Sequence, residues 1–286
     1  MHVSKSMTLS KKKAVQNFPK GKVPVPTIAL LTDFGLQDQY VASMKGVMLS
    51  INSSLNIIDI THEIQPYRIR QAAFMLWSVY NYFPKDTIFV NVVDPGVGSG
   101  RRIIVMKTKN YTFIAPDNGL LDLVVYQEKS VTAVEITPSS LKKYAIGDIS
   151  STFHGRDLIA PLAAYLSDNI PIKHFGLPIT LPEILSPFVR SRTDVVPMSV
   201  LHIDNFGNII TNLQSFEVEK SMKATQAISI GSNMVSKWIR FYNEAPEHTP
   251  CLIVGSSGLI EISAKNYSAA HLLRASLDSK LKVYWR

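Results

Sequence analysis

The sequence predicts an α/β fold: an N-terminal, mostly parallel sheet flanked by helices, followed by a smaller β-rich domain. Two observations predict it. From Thr27 short apolar runs alternate with helix-length amphipathic segments, whereas beyond Pro197 short strand-like runs dominate. In order, "TIALLTDFG" reads as strand, "DQYVASMKGVMLSI" as helix, "LNIIDIT" as strand, "IRQAAFMLWSVYNYF" as helix and "TIFVNVV" as strand, a succession of βαβ units. Within the segment that begins at Ile69, residues Ile69, Ala72, Ala73, Leu76, Val79 and Tyr80 recur at helical spacing and mark a core-facing stripe. The strand-like "RIIVMKT" and "YTFIAPDNG" come next, followed by "LLDLVVY". Between Leu181 and Pro197 prolines and charges replace periodicity, which marks a boundary. Beyond it "MSVLHID", "GNIITNL", "AISIG", "CLIVG", "LIEISA" and "KVYWR" are spaced as strands of a sandwich or a barrel. The expected organisation is an arm over 1–26, an α/β domain over 27–180, a linker over 181–197 and a β-rich domain over 198–286.

The formal charge of +8 invites a nucleic-acid reading, but its distribution argues against one. Lys5, Lys11, Lys12, Lys13, Lys20 and Lys22 lie in the first 26 residues, where there is no acidic residue. Setting those six aside leaves 24 basic against 22 acidic groups, a nearly neutral body with a basic, mobile arm. That arm lacks the apolar stretch of a secretory signal, and no later segment sustains the roughly 18 to 20 apolar residues of a membrane span. The expectation is a soluble, cytoplasmic protein with no nucleic-acid or membrane partner. Cys251 is the sole cysteine, so an intrachain disulfide is excluded and a thiolate zinc site disfavoured; its place at the start of "CLIVG" reads as a buried strand residue. The seven histidines lack the close pairing of a metal site, so no metal is expected.

In an open parallel sheet, ligands bind beyond the carboxyl ends of the strands. Three stretches put ionisable groups there: "LLTDFGLQDQY", "NVVDPGVGSGRR" and "STFHGRD". Asp33 suits either a turn or a ribose diol, whose two hydroxyls one carboxylate can accept; Asp38, near a helix start, suits an N-cap equally well. Neither a glycine-rich dinucleotide fingerprint nor a Gly-Lys-Ser/Thr phosphate loop is present. The glycines at 96, 98 and 100 let the chain turn tightly and bring Arg101 or Arg102 back towards Asp94, as a turn salt bridge or as a held, ionised carboxylate. His154 sits in a loop with a side chain tunable near neutral pH, while Asp157 suits a cap and a partner for Arg156. In the second domain "IDNFGNIITN" gathers Asp204, Phe206 and Asn208, a hairpin turn or else amide and aromatic groups suited to a purine. "GSSGLIEI" offers Ser256 as a loop residue or a carboxylate donor.

Taken together, "LLTDFGLQDQYVASMKG", "VVDPGVGSGRR", "APDNGLL", "FHGRD", "IDNFGNIITN" and "GSSGLIEI" closely resemble the S-adenosylmethionine hydrolases, also called S-adenosylmethionine hydroxide adenosyltransferases, which are relatives of the nucleophilic fluorinase and chlorinase. The resemblance runs from about Thr27 to the C-terminus. It implies a C-terminal β-barrel-like domain, a homotrimer with substrate between the N-terminal domain of one subunit and the C-terminal domain of the next, and conversion of S-adenosyl-L-methionine and water to adenosine and L-methionine without a cofactor. It also implies that Asp94, Arg101 and His154 activate water for in-line attack on the ribose C5′. Asp33 would then bind ribose, Asp38, Asp204 and Ser256 the methionine end, and Phe206 and Asn208 the adenosine. Two alternatives remain at this point: a halogenase using the same substrate, and a non-catalytic sensor of S-adenosylmethionine or adenosine.

Overall fold

The computed structural model describes residues 25–128, 130–215 and 218–286. The lysines expected to form a basic arm, all within 1–24, lie outside the described residues. The chain divides into two compact units, one ending at Ile184 and one spanning Leu185–Arg286.

The first unit is built from β1 (Thr27–Thr32), α1 (Tyr40–Ile51), β2 (Asn56–Thr61), α2 (Ile69–Val79), β3 (Ile88–Val92), β4 (Ile103–Lys107), β5 (Thr112–Pro116), α3 (Asp122–Glu128), β6 (Thr132–Ile136), α4 (Pro138–Tyr144), α5 (Ala160–Leu166) and β7 (Gly176–Ile179). Its sheet has the order β2-β1-β3-β5-β4-β6-β7. Strands β2, β1, β3 and β5 pair in parallel, and β6 runs the same way. Strands β4 and β7 run against them. The reversal at β4 has a simple cause: only 108–111 join it to β5, too few residues for a parallel crossover. The segment "LLDLVVY" is mostly the helix α3.

Alternation along β1 and β3 feeds two faces. Ile28, Leu30, Ile88, Val90 and Val92 pack with Met44 and Met48 of α1 and with Leu162, Ala163 and Leu166 of α5. On the other face Phe89 and Phe113 stack at 4.9 Å, and the ring of Tyr80, just after α2, meets both edge-on. In α2 the expected stripe is widened by the buried Phe74 and Trp77.

The second unit contains β8 (Val200–Ile203), β9 (Ile209–Gln214), α6 (Val218–Ala224), β10 (Thr225–Ile230), β11 (Asn233–Val235), β12 (Cys251–Val254), β13 (Leu259–Ser263), α7 (Ala269–Leu273) and β14 (Leu281–Trp285). Two antiparallel sheets, β12-β13-β9-β8 and β11-β10-β14, share a core that includes Val200, Ile209, Ile228, Ile230, Leu252 and Ile262. Single bridges between Ser199 and Lys280 and between Trp238 and Leu252 join the sheets at both flanks, which makes the unit barrel-like. In the stretch read as linker, Val189 exchanges backbone hydrogen bonds with Asn212 and Gln214. Cys251 is buried at the start of β12.

Phe113→Ala removes a fully buried ring from the aromatic face. The expected cost is about 3–5 kcal/mol, read as a lower midpoint at unchanged slope in urea unfolding; an unchanged midpoint would contradict this packing.

Candidate active site

The loops after β1 and β3 leave the sheet at its carboxyl edge, and the segment before α5 joins them there. Val93 and Asp94 continue β3, and the chain then turns back. Val97 N–H donates to Asp94 O, and Ser99 N–H donates to Gly96 O. Gly98 holds φ +78°, and a Cβ on it would lie 2.4 Å from the Ser151 carbonyl oxygen. Of the three glycines in this turn, Gly98 is the one whose conformation and close approach exclude a side chain. Its approach also seats the turn directly on the segment that carries His154.

The turn returns Arg101 to Asp94. Arg101 Nε and Nη2 both donate to Asp94 Oδ2, at 2.8 and 2.5 Å, while Gly96 N–H donates to Asp94 Oδ1 at 3.2 Å. Only 6% of the Asp94 side chain and 14% of that of Arg101 is exposed, so the pair is shielded from solvent screening. Arg102 instead pairs with Asp117, just after β5.

Arg101 Nη2 also lies 2.9 Å from His154 Nδ1. A guanidinium can only donate, so Nδ1 accepts and the neutral ring carries its proton on Nε2. Burial and the charge of Arg101 push the His154 pKa below the usual histidine value, and Asp94 and Asp157 pull only partly the other way. His154 is held by a wide turn over Gly155–Ile159 that leads into α5, a geometry recurrent at functional positions. Its neighbour Phe153 packs against Tyr40 and Phe34, with ring centroids 5.0 and 5.8 Å away, tying the segment to α1 and to the loop after β1. Asp157 accepts from Arg156 Nε at 2.6 Å and from Ser150 N–H at 2.8 Å, so the pairing with Arg156 is present and the carboxylate braces the same segment.

Asp33 follows β1 and accepts Tyr67 N–H through Oδ2 at 3.0 Å. Burial raises its pKa above the ordinary carboxylate value, opposed by backbone N–H groups, while the nearby Asp94 adds to the rise. Asp38 is exposed, and Gln39 rather than Asp38 holds the N-cap position of α1.

In the second unit Asp204 organises its turn. Its Oδ1 accepts Phe206 and Asn208 N–H at 3.0 and 2.8 Å, and its Oδ2 accepts Asn208 Nδ2 at 2.8 Å. Gly207, at φ +82°, packs so closely on Ser268 that a Cβ would fall 2.0 Å from Oγ, which fixes the turn against α7. Asn208 is buried, whereas Phe206 projects with 76% of its surface exposed. Ser256 is exposed in the turn between β12 and β13. Sequence reasoning passed over Glu261, which is buried on β13 and accepts Tyr242 Oη–H at 3.2 Å. Burial lifts its pKa to about 7, with Asp204 contributing and Tyr242 opposing. The glutamate in "LIEIS" reads as the outward position of an alternating strand, so the pattern carried no signal for its burial.

Thus Asp94, Arg101 and His154 form one cluster, with Asp33 near enough to feel the charge of Asp94. Asp204, Phe206 and Asn208 share one turn of the second unit, and Ser256 lies on another. Among the described residues no group of three or more histidine, cysteine, aspartate or glutamate side chains is arranged to hold a metal ion. Replacing Arg101 with alanine removes a positive neighbour from His154. The expected outcome is an upward shift of the His154 titration midpoint in ¹⁵N NMR, with the Nε2–H tautomer dominant in the unsubstituted protein; an unmoved midpoint would rule out their coupling.

Two family models match the chain: the SAM hydroxide adenosyltransferase N-terminal domain over residues 28–176 and the corresponding C-terminal domain over 198–282. A protein of Methanocaldococcus jannaschii named (R)-S-adenosyl-L-methionine hydrolase is 35% identical, covering 90% of this chain and 95% of its own. A fluorinase of an Actinoplanes species is 28% identical over 68% of this chain and 74% of its own. The crystal structure of an uncharacterized conserved protein from Thermotoga maritima superposes with a TM-score of 0.79 at 32% identity, covering 90% of this chain and all of that one. With both domain models matched in order over most of its length, this chain belongs to the SAM hydroxide adenosyltransferase family.

Proposed function

We propose that this protein hydrolyses S-adenosyl-L-methionine to adenosine and L-methionine, with Asp94, Arg101 and His154 holding the attacking water. The observation that carries the reading is the Arg101 guanidinium bridging a shielded Asp94 and the acceptor nitrogen of His154. It stands in a family named for SAM hydroxide adenosyltransferase, with a relative named (R)-S-adenosyl-L-methionine hydrolase.

The chemistry suits these groups. Water oxygen bonds to the ribose C5′ while the C5′–S bond breaks and its electron pair returns to sulfur. The sulfonium leaves as a neutral thioether and takes no proton, so no general acid, metal or cofactor is required. The attacking water must lose one proton. His154 Nδ1 is already occupied by Arg101, and Nε2–H is a donor, so Asp94 is the acceptor. Among the described residues its Oδ1 engages only the 3.2 Å Gly96 N–H, leaving a lone pair for that proton. Arg101 stabilises negative charge as it develops on the water, and fixing that oxygen in line with the C–S bond contributes through positioning.

Asp33 is assigned to the ribose diol, Asp38, Asp204 and Ser256 to the methionine end, and Phe206 and Asn208 to the adenosine. Exposure of Phe206 supports that assignment, because an aromatic at a turn tip gains stabilisation by covering a base. Since these groups reside on two units, the reading includes a homotrimer with sites between subunits, acting in the cytoplasm. Among the described residues no helix is long and apolar enough to cross a membrane.

In ¹⁸O-water, chromatography and mass spectrometry of the reaction are expected to show adenosine labelled at the 5′-hydroxyl, in proportion to enzyme and with chelator present. Asp94→Ala should lower kcat by about 10² or more while calorimetric affinity for the substrate stays within a few-fold. Undiminished turnover would remove Asp94 from the mechanism, and a 5′-halogenated nucleoside in chloride would move the assignment to halogenation. The acid limb of the rate profile should fall below about pH 6.5, the ordinary histidine value, because burial and Arg101 hold His154 neutral to lower pH. Sedimentation of the active species should give an oligomer; full activity in a monomer would contradict the shared site.

A further inference from the structure

We infer that His62 is a positioning residue for Asp33, acting through Thr32 in a buried polar relay beneath the loop after β1. This rests on the proposed ribose role of Asp33. His62 is 3% exposed and Thr32 fully buried, so their polar atoms are shielded from water and need partners within the protein.

Thr32 Oγ1 lies 2.8 Å from His62 Nδ1. On its other side His62 Nε2 stands 3.1 Å from Asp59 Oδ1, and Asp59 Oδ2 receives Lys45 Nζ at 2.6 Å. The directions follow from the chemistry of the groups. Lys45 and His62 beside it outweigh the effect of partial burial and hold the Asp59 carboxyl below its usual value, so Asp59 is an acceptor; His62 Nε2 faces it at 3.1 Å without the alignment of a full hydrogen bond, and a proton on Nε2 is the one this contact favours. His62 Nδ1 therefore accepts the Thr32 hydroxyl proton. With that proton committed, Thr32 Oγ1 presents its lone pairs forward and accepts Phe34 N–H at 3.2 Å. The His62 carbonyl adds a second tie by accepting Gly35 N–H at 2.8 Å.

Asp33 thus lies directly before two backbone positions that His62 holds, Phe34 through the Thr32 hydroxyl and Gly35 through its own carbonyl. From the opposite side Tyr67 N–H holds Asp33 Oδ2. A carboxylate can accept both hydroxyls of a vicinal diol only when its plane is set in advance, and this relay restrains the backbone that sets it. Lys45, Asp59, His62 and Thr32 come from α1, β2, the segment after β2 and β1, so the relay also ties the loop to the parallel edge of the sheet.

The test compares two product-like ligands, adenosine and 2′,3′-dideoxyadenosine, by calorimetry. His62→Leu and the isosteric Thr32→Val are each expected to weaken adenosine binding about tenfold, on the order of one charge-assisted hydrogen bond, and to leave dideoxyadenosine binding unchanged. In an Asp33→Ala background His62→Leu should bring no further loss. His62→Asn, which restores an acceptor towards Thr32, should recover part of the adenosine affinity. Equal weakening of both ligands, or no weakening, would overturn the inference; the Thr32→Val result decides it if His62→Leu does not fold. Failure of Asp33→Ala itself to distinguish the two ligands would instead overturn the ribose reading.

Discussion

The geometry of the N-terminal unit's functional edge depends on one cation, Arg101, placed between an acidic and a neutral acceptor. A carboxylate as shielded as Asp94 is strongly unfavourable without a partner, and so is a shielded guanidinium. Satisfying both requires the chain to reverse within seven residues of Asp94, and that reversal requires Gly98 against the Ser151 carbonyl. Contact with Ser151 brings the His154 segment alongside, where Nδ1 takes up an Nη2 donor already aimed at Asp94. A single electrostatic requirement therefore fixes two loops that lie more than fifty residues apart.

The sheet supplies the rigid base for that arrangement. Strands β1 and β3 are buried along nearly their whole length between helices on both faces, so the positions where Asp33 and Asp94 leave them are set by core packing rather than by loop preference. The β4–β5 hairpin contributes at the same edge. It places Arg102, next to Arg101, against Asp117, which separates the roles of two adjacent arginines. The aromatic contacts of Phe153 with Phe34 and Tyr40 complete the connection by giving the His154 segment an apolar anchor on α1.

Much of this was legible in the sequence because it is local. Period-2 runs, the helical stripe from Ile69 and the turn residues around Asp94 are short-range signals, and the structure brings Asp94, Arg101 and His154 together. Less was legible where the partner is distant or the pattern is ambiguous. The spacing of "NVVDPGVGSGRR" could not choose between Arg101 and Arg102, a choice made by Asp117 just past the end of β5. Strand direction at β4 was hidden, since an apolar run reads alike either way. The barrel-like closure of the second unit rests on bridges such as Ser199 with Lys280, which leave no trace in composition. His62 illustrates the limit most clearly: a lone histidine after a strand becomes informative only when Thr32, thirty residues earlier, is seen against its ring.

The charge of the cluster bears on which nucleophile the proposed reaction admits. Asp94 cancels Arg101, and His154, held neutral by burial and by Arg101 itself, adds no charge. A halide entering this cluster would lose its hydration and meet no net positive charge, only the buried carboxylate beside its best donor. Water enters without that penalty, and in the proposed attack on C5′ its proton passes to Asp94. The cluster then holds a neutral acid beside Arg101, whose charge is released to oppose the negative charge developing on oxygen. Proton transfer thus converts a compensated ion pair into an uncompensated cation at the moment it is needed. Because partial bonding to C5′ makes the attacking oxygen a stronger acid than free water, even a carboxylate held by two guanidinium donors is a sufficient base when proton transfer accompanies attack.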